Sequence, residues 1–358
     1  MSFKSLILFF ALFLSYSLVT SQVFDVDVVI DPGATIKSGA VIGSHTLINS
    51  GAVVNAAVID SNVLIGSDAV IGSGAVIGPR VFINSTAVIN KGAIINSNVF
   101  IGSGAVIGSG VVIDSDVFIN SSAVINKGTV IAPNAIIDTG AIIGIGAIIG
   151  SRSVIHSTAV INRGAVIDSD VIIESGAFIG SYAIIGSGVI VNSNAVINSN
   201  AVISSNVLIS TGAVIDSRAI IDSNTNIGPD AYIGSGAVVN ASVIIGSDAF
   251  IGSGARINTS ALIGPGAVIG SDAVIGPRAK IGFNVTISHG AVIGPRARIG
   301  SDVTISHNAV IPAEASILPG AVISPITIIP SNAVNSTEPV TFLGAAGNDT
   351  SSSIVFRP

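Results

Sequence analysis

The chain has 358 residues, of which only 9% are charged and 4% aromatic, and its formal net charge is −6. This composition offers no basic footprint for nucleic acid, and a chain without cysteine has neither a disulfide framework nor thiol chemistry. Gly, Ser, Asn, Ala, Val and Ile dominate instead, which indicates a repetitive fold that is stabilised by stacking.

The first residues have the pattern of a targeting segment. Lys4 supplies a positive start, the run LILFFALFL from Leu6 to Leu14 is apolar, and Val19-Thr20-Ser21 places small residues before Gln22. This pattern resembles a secretory signal peptide, so we predict that residues 1–21 are removed and that the mature protein is extracellular; an uncleaved anchor is the alternative. After Gln22 polar residues recur every six positions, and no apolar run reaches the roughly 18 residues of a membrane-spanning helix.

A six-residue period runs through the rest of the chain. From Ala57 to Asn332 it covers 46 hexads without insertion or deletion, and the third position is Ile in 44 of them. Four more hexads, which begin at Val28, precede this run, and the segment AVVNA between them, Ala52 to Ala56, is one residue short. Such a period is the signature of a solenoid.

The composition of each position predicts its place in the fold. Positions one to three should form a short strand, with positions one and three facing inward and position two facing outward. Position four is Gly, Asn or Asp in 35 of the 46 hexads. These residues tolerate left-handed backbone angles, so we expect position four to form the corner.

The repeated pattern Ile-Gly-Ser-Gly-Ala-Val resembles that of the bacterial hexapeptide-repeat transferases, from Val28 to about Asn332. The resemblance implies an all-β chain forming a single left-handed parallel β-helix, with three hexads in each 18-residue coil and about 17 coils. Residues 22–332 would form this solenoid, and residues 333–358 a non-repetitive C-terminal tail or cap.

The outward position is unusually apolar. All 28 position-two residues from Val58 to Ile220 are Val, Ile, Leu or Phe. Monomers rarely expose apolar patches above about 300–600 Å², so we predict that these ladders pack laterally against other copies of the chain. Open coil ends also pair with other chains unless they are capped, which would add end-to-end stacking. The alternative is that polar corners divide the ladders into stripes that a monomer tolerates. The predicted ladder residues are Phe82, Phe100, Phe118, Val58, Val76, Ile94, Val112, Val88, Val106 and Val124.

Few residues suggest catalysis or metal binding. Enzymes of the family typically place a catalytic His in a cleft between trimer subunits, often beside a loop that interrupts a coil, whereas these hexads contain no such loop. His289 and His307 are 18 residues apart and should stack at one corner, either as a general base or ligand pair or as copies from a duplicated coil. The second interpretation is favoured, so no catalytic residue, metal or cofactor is predicted.

Two further sets of side chains mark candidate surface sites. Arg278 with Arg296, and Lys280 with Arg298, form a small basic patch, interpreted as a solubilising face with a polyanion site as the alternative. In a secreted eukaryotic protein the Asn-x-Ser/Thr triplets would be glycan acceptors. They lie at Asn84, Asn120, Asn240, Asn258, Asn284, Asn335 and Asn348.

Three functions follow as hypotheses. The leading one is a secreted, glycosylated structural protein that self-associates into fibres, a wall or a matrix, and is not an enzyme. The second is a secreted hexapeptide-type acyltransferase. The third is a surface-binding solenoid for ice or an extracellular polysaccharide, although outward Thr rows are limited to Thr35, Thr286 and Thr304.

Overall fold

The computed structural model describes residues 22–325. The predicted signal segment and the predicted C-terminal tail lie outside the described residues. Within residues 22–325 the regular structure consists of β-strands joined by turns, and no helix there is long and apolar enough to cross a membrane. The described residues fall into two compact units, one that ends at Gly140 (unit 1) and one that begins at Ala141 (unit 2), which are described separately below.

Each strand contains two residues, positions two and three of a hexad, and every third strand belongs to the same face. Face A1 of unit 1 contains Val23–Phe24, Val41–Ile42, Val58–Ile59, Val76–Ile77, Ile94–Ile95, Val112–Ile113 and Val130–Ile131. Face B1 contains Val29–Ile30, Leu47–Ile48, Leu64–Ile65, Phe82–Ile83, Phe100–Ile101, Phe118–Ile119 and Ile136–Ile137. Face C1 contains Thr35–Ile36, Val53–Val54, Val70–Ile71, Val88–Ile89, Val106–Ile107 and Val124–Ile125.

Unit 2 repeats the same three-faced arrangement. Face A2 contains Ile148–Ile149, Val166–Ile167, Ile184–Ile185, Val202–Ile203, Ile220–Ile221, Val238–Val239, Arg256–Ile257, Val274–Ile275, Val292–Ile293 and Val310–Ile311. Face B2 contains Val154–Ile155, Ile172–Ile173, Ile190–Val191, Leu208–Ile209, Asn226–Ile227, Ile244–Ile245, Leu262–Ile263, Lys280–Ile281, Arg298–Ile299 and Ser316–Ile317. Face C2 contains Ile142–Ile143, Val160–Ile161, Phe178–Ile179, Val196–Ile197, Val214–Ile215, Tyr232–Ile233, Phe250–Ile251, Val268–Ile269, Thr286–Ile287, Thr304–Ile305 and Val322–Ile323.

Strands on one face pair in parallel with the strands one coil away. In unit 1 Val76 pairs with Ile94, and in unit 2 Val274 pairs with Val292, both at a separation of 18 residues. At three strands per coil, the 51 strands of the described residues correspond to about 17 coils. The predicted fold class is therefore confirmed: the chain is an all-β parallel solenoid with the three-sheet architecture of a left-handed β-helix.

The core is a stack of small and branched side chains. Ile at position three and Ala or Val at position one are almost fully buried, as Ala105 and Ile107 illustrate at 0% exposure. Thr or Ser replaces Ala at a few inward positions, and the hydroxyl then reaches a backbone carbonyl: Ser153 Oγ donates to Asp168 O at 2.8 Å. A buried hydroxyl with a partner avoids the cost of desolvation without a hydrogen bond, so the inner face accepts these substitutions.

The predicted position of the left-handed corner residue is wrong. The positive φ values fall at position six, for example at Asn98 (φ 60°) and Gly92 (φ 67°), and not at position four. Glycine at position four has a different cause, because the next coil approaches closely there. A Cβ added to Gly66 would lie 2.5 Å from the backbone nitrogen of Ser85. The left-handed backbone therefore accounts for the Gly, Asn and Asp at position six. The lack of space beside the next coil accounts for the glycine at position four.

The short hexad is absorbed at a corner and does not shift the strands. Val53 pairs with Val70, and Val41 pairs with Val58, at separations of 17 residues. The corner after Val53–Val54 contains only Asn55 and Ala56, and neither has a positive φ. The deletion thus removes the left-handed corner residue and keeps every inward side chain inward.

Candidate interaction faces

Position-two side chains point outward on all three faces of unit 1, as predicted. Phe82 and Phe118 are about half exposed, at 49% and 50%, while the inward neighbour Ile83 is fully buried. Phe82 pairs with Phe100, which in turn pairs with Phe118, and the rings of Phe100 and Phe118 stack at a centroid distance of 6.1 Å. The phenylalanine ladder therefore runs along face B1.

The structure assigns the other predicted ladder residues to the two remaining faces. Val58, Val76, Ile94 and Val112 form a continuous paired row on face A1. Val88, Val106 and Val124 form the corresponding row on face C1. Stacking within a row covers part of each side chain, so most of these residues are intermediate in exposure and Val58 and Ile94 are the more exposed, at 47% and 39%.

Sorting the outward residues by face separates A2 from its neighbours. On face A2 every position-two residue is Val or Ile except Arg256, and on face A1 all are Val or Ile. Face B2 instead carries the polar residues Asn226, Lys280, Arg298 and Ser316. Face C2 carries Tyr232, Thr286 and Thr304. In unit 2 the A face is thus the most uniformly aliphatic, a distinction that becomes visible when every third hexad is read as one row, whereas in unit 1 face C1 is also Val at position two of every strand except Thr35–Ile36.

The two predicted histidines lie at equivalent corners of adjacent coils. The backbone N–H of Asn308 donates to the carbonyl of His289 at 3.0 Å, which places the two corners in adjacent coils. The Nδ1 of His289, however, lies 3.7 Å from Asp272 Oδ2, and both side chains are about two-thirds exposed. Among residues 22–325 no group of three or more His, Asp or Glu side chains is arranged to hold a metal ion.

The predicted glycan acceptors differ in accessibility. Asn120, Asn240 and Asn258 occupy position four, are partly buried, and donate through Nδ2 to the next coil, for example to Asp138 Oδ1 at 2.8 Å. Asn84 occupies the same position and is also partly buried, whereas Asn284 occupies position six and is exposed. Asn335 and Asn348 lie outside the described residues.

Charged side chains concentrate on one edge of unit 2, where the chain passes from an A2 strand to a B2 strand. Arg152 donates two hydrogen bonds to Asp170 one coil away, from Nε to Oδ1 at 2.7 Å and from Nη2 to Oδ2 at 2.6 Å. This hydrogen bonding lowers the pKa of Asp170 and raises that of Arg152. Further along the edge Arg296 Nη1 lies 3.0 Å from Glu314 Oε1, while Arg278 has no ion pair among the described residues.

Tyr232 makes a polar contact that the sequence did not predict. Its Oη donates to Asp216 Oδ2 at 3.0 Å, and its ring stacks on Phe250 at a centroid distance of 5.0 Å. The 18-residue spacing of Tyr232 and Phe250 predicts the ring stacking. The hydrogen bond reaches a corner residue 16 positions earlier, and no repeat period indicates it.

Comparison with known proteins supports the repeat and the fold. The family model of the bacterial transferase hexapeptide (six repeats) matches residues 224–259, 260–289 and 278–313. The comparison with curated proteins found no match. The chain is a hexapeptide-repeat parallel β-solenoid.

Solved structures with a similar fold include several acyltransferases. A hexapeptide transferase family protein from Anaplasma phagocytophilum is 16% identical over 39% of this chain and 77% of its own, with a TM-score of 0.30. A UDP-N-acetylglucosamine acyltransferase from Bacteroides fragilis is 20% identical over 51% of this chain and 69% of its own, with a TM-score of 0.31. The Arabidopsis UDP-N-acetylglucosamine acyltransferase is 19% identical over 57% and 70%, with a TM-score of 0.22.

At these identities the likeness concerns the fold alone.

Proposed function

We propose that this chain is a secreted structural protein whose solenoids associate side by side through their A faces. The single observation that supports this most strongly is the uniformity of faces A1 and A2, on which the outward residues are Val or Ile at every position except Arg256. Several of them are about 40–50% exposed, including Val58 (47%), Ile148 (45%) and Ile184 (48%). Burying aliphatic area is favourable by about 25 cal/mol per Å².

A second copy of the chain is the occupant that fits such a face. Two identical solenoids present rows with the same spacing of roughly 4.8 Å per coil, so side chains of one copy can interdigitate with those of the other along the whole row. The ten strands of face A2 span about 43 Å at that spacing, and six extended residues span at most about 20 Å. The product, at most about 860 Å², is comparable with the roughly 800 Å² that each partner contributes to a standard stable interface.

The location of the protein is also part of the proposal. The segment from Lys4 to Ser21 has the order of a signal peptide, and we expect the mature chain to begin at Gln22. Expression in a eukaryotic secretory host, followed by N-terminal sequencing of protein from the medium, tests this expectation. A product that stays cell-associated with Met1 intact would contradict it.

Lysine substitutions on one face at a time test the association. Val202→Lys, Ile220→Lys and Val238→Lys together place three charges in the middle of face A2, and Arg256 shows that this face accepts a cation at position two. The matched control is Phe178→Lys, Val196→Lys and Val214→Lys, which makes the same change on face C2. Sedimentation velocity and electron microscopy should show assemblies for wild type and for the C2 variant, and dispersed protein for the A2 variant. Dispersed wild-type protein, or equal loss in both variants, would refute A-face packing.

An acyltransferase is the second candidate, supported by the match of residues 224–313 to the transferase hexapeptide model. His289 lies inside that range and beside Asp272, so it is the residue on which the enzyme hypothesis depends. Acetyl transfer from acetyl-CoA to amino sugars, measured for wild type, His289→Ala and His307→Ala, tests this candidate. Activity that His289→Ala abolishes would support it, and inactive wild-type protein over a panel of acceptors would count against it.

A further inference from the structure

The A2–B2 edge of unit 2 carries a row of cations that the packing of the A faces does not use. Five of the 14 Lys and Arg residues of the chain lie between positions 256 and 298, a segment whose single acidic residue is Asp272. Asp272 follows a C2 strand and therefore occupies a different edge, where it contacts His289. The segment is thus locally basic in a chain with a net charge of −6.

The geometry of the fold places two of these cations, Arg278 and Arg296, in the lining of one groove. Arg278 and Arg296 occupy the corner itself in consecutive coils, and Lys280 and Arg298 are paired neighbours at the start of face B2, two residues beyond. The groove is open to solvent, has a volume of about 390 Å³ and is lined by the corner residues of four coils. The lining residues are Thr259, Ser260, Pro277, Arg278, Pro295, Arg296, Ala313 and Glu314.

Backbone contacts hold the corner residues at the coil spacing. The N–H of Arg278 donates to Thr259 O at 3.0 Å, and the N–H of Arg296 donates to Pro277 O at 2.9 Å. Proline before each arginine fixes its own φ, so the row is rigid at its backbone while the guanidinium groups extend into solvent. Glu314 engages Arg296, whereas Arg278, Lys280 and Arg298 make no ion pair within the described residues.

We propose that this basic edge binds a linear anionic polysaccharide, one that carries carboxylate or sulfate groups on successive sugar units. Cations repeating at roughly 4.8 Å along a straight edge match charges that repeat along an extended chain. Arginine binds carboxylate and sulfate-like oxygens through two parallel N–H groups, and the hydroxyls of Thr259 and Ser260 line the same groove as partners for sugar hydroxyls.

Nucleic acid fits the edge less well. Single-strand binding surfaces interleave cations with aromatic rings on which bases stack, and the lining of this groove contains no aromatic residue. The stacked pair Tyr232 and Phe250 belongs to face C2.

Binding to labelled oligogalacturonate, measured by fluorescence anisotropy with the purified full chain, tests the proposal. The edge variant combines Arg278→Ser, Lys280→Thr and Arg298→Ser, residue types that this fold already places at position six (Ser260) and position two (Thr304, Ser316). The control variant, Lys91→Ser with Lys127→Ser and Arg163→Ser, removes the same charge from other corners. We expect the edge variant to bind at least about tenfold more weakly and the control to stay within about twofold of wild type.

A gain-of-function variant guards against a loss that merely reflects misfolding. Glu314→Gln frees Arg296 and should tighten binding by about two- to fivefold, and raising the salt concentration should weaken every complex. Dextran sulfate is expected to compete and neutral dextran is not. Equal losses in the edge and control variants, no gain from Glu314→Gln, or tighter binding of oligothymidylate or polyglutamate of equal length would overturn the assignment.

Polysaccharide binding by the basic edge can be distinguished experimentally from side-by-side association through the A faces. Sedimentation of the edge variant without ligand should match wild type, because its substitutions lie at the corner and on face B2. Loss of polysaccharide binding with unchanged assembly supports the basic edge independently of the A faces. Loss of assembly in the edge variant would overturn that separation.

Discussion

The Oη of Tyr232 donates a hydrogen bond to Oδ2 of Asp216 across 3.0 Å, and the same carboxylate accepts the backbone N–H of Ser217 through Oδ1 at 2.6 Å. The backbone bond is the main cause that lowers the pKa of Asp216, and the tyrosine bond contributes to it. Partial burial, followed by the hydrogen bond to Asp216, raises the pKa of Tyr232. The hydrogen bond therefore links a corner residue to an outward side chain of face C2, and its strength depends on the protonation of both groups.

The first prediction concerns acid stability. A carboxyl whose folded pKa is lowered stabilises the fold above its unfolded pKa of about 3.9, and this contribution is lost as pH falls through the folded value. Tyr232→Phe should raise the folded pKa of Asp216 towards its ordinary value, so the free energy of unfolding at pH 7 should fall by about 0.5 to 1.5 kcal/mol. Between pH 5 and pH 2 the free energy of unfolding of the variant should change less than that of wild type. Urea unfolding at each pH measures both effects.

Tyr182→Phe is the matched control for this prediction. The Tyr182 hydroxyl makes no hydrogen bond with the described residues, and the side chain is 53% exposed. Its removal should leave the pH dependence unchanged. If both tyrosine variants change the free energy of unfolding at low pH equally, the hydrogen bond to Asp216 does not have the role assigned to it.

The second prediction separates the inner from the outer residues of one strand. Ile107 is fully buried and Val106 is partly exposed on face C1. Ile107→Ala should cost about 2 to 5 kcal/mol, and Ile107→Val about 0.5 to 1.5 kcal/mol, since Val already occupies the inward position at Val191 and Val239. Val106→Ala should cost far less than Ile107→Ala. Comparable losses at 106 and 107 in urea unfolding would show that the strand is turned over or buried on both sides.

The repeat alone allowed much of the fold to be predicted. Inward and outward assignments, the pairing of Phe82 with Phe100, and the three-faced stack all follow from period six and the 18-residue coil, because a solenoid converts sequence spacing into spatial neighbours. The candidate surface was predicted less well. The outward ladders were identified, but the contrast between aliphatic A faces and polar B2 and C2 faces appears only when outward residues are sorted by face.

The corner could not be resolved by composition. Gly, Asn and Asp fill both position four and position six, for two physical reasons that look alike in a sequence. At position six the backbone is left-handed, as at Asn98. At position four the adjacent coil approaches, as at Gly66. Residue identity shows that a position is restricted, and coordinates are needed to show whether conformation or space restricts it.

The third prediction uses this corrected corner. Thr158 is a β-branched residue at φ 60°, whereas Asn206 occupies the equivalent position at φ 57°. Left-handed backbone costs most L-residues about 1 to 2 kcal/mol, and Asn adopts it routinely. Thr158→Asn should therefore stabilise the fold by up to about 1 kcal/mol, reduced by the loss of the Thr158 Oγ1 bond to Ser157 O. Asn206→Thr should destabilise it by a similar amount, and thermal unfolding that moves both variants in one direction would contradict the corner assignment.

The fourth prediction concerns the candidate glycan acceptors. The sugar replaces one hydrogen on Nδ2 and needs room beside it, which the exposed Asn284 has, because its Nδ2 makes only a long 3.4 Å contact with Asp302 Oδ1. Asn120 is partly buried and uses Nδ2 to donate to Asp138 in the next coil. In protein secreted from a eukaryotic host, peptide mass mapping with and without deglycosylation should find Asn284 occupied to a higher fraction than Asn120, Asn240 or Asn258.

Single-site variants make that comparison quantitative. Asn284→Gln should remove the larger mass shift, and Asn120→Gln should leave the glycan mass unchanged while lowering the free energy of unfolding by about 1 kcal/mol, because a longer amide no longer meets Asp138 at the coil spacing. Full occupancy at Asn120 in folded, secreted protein would require that corner to open, which would contradict the ladder of side-chain amides between adjacent coils.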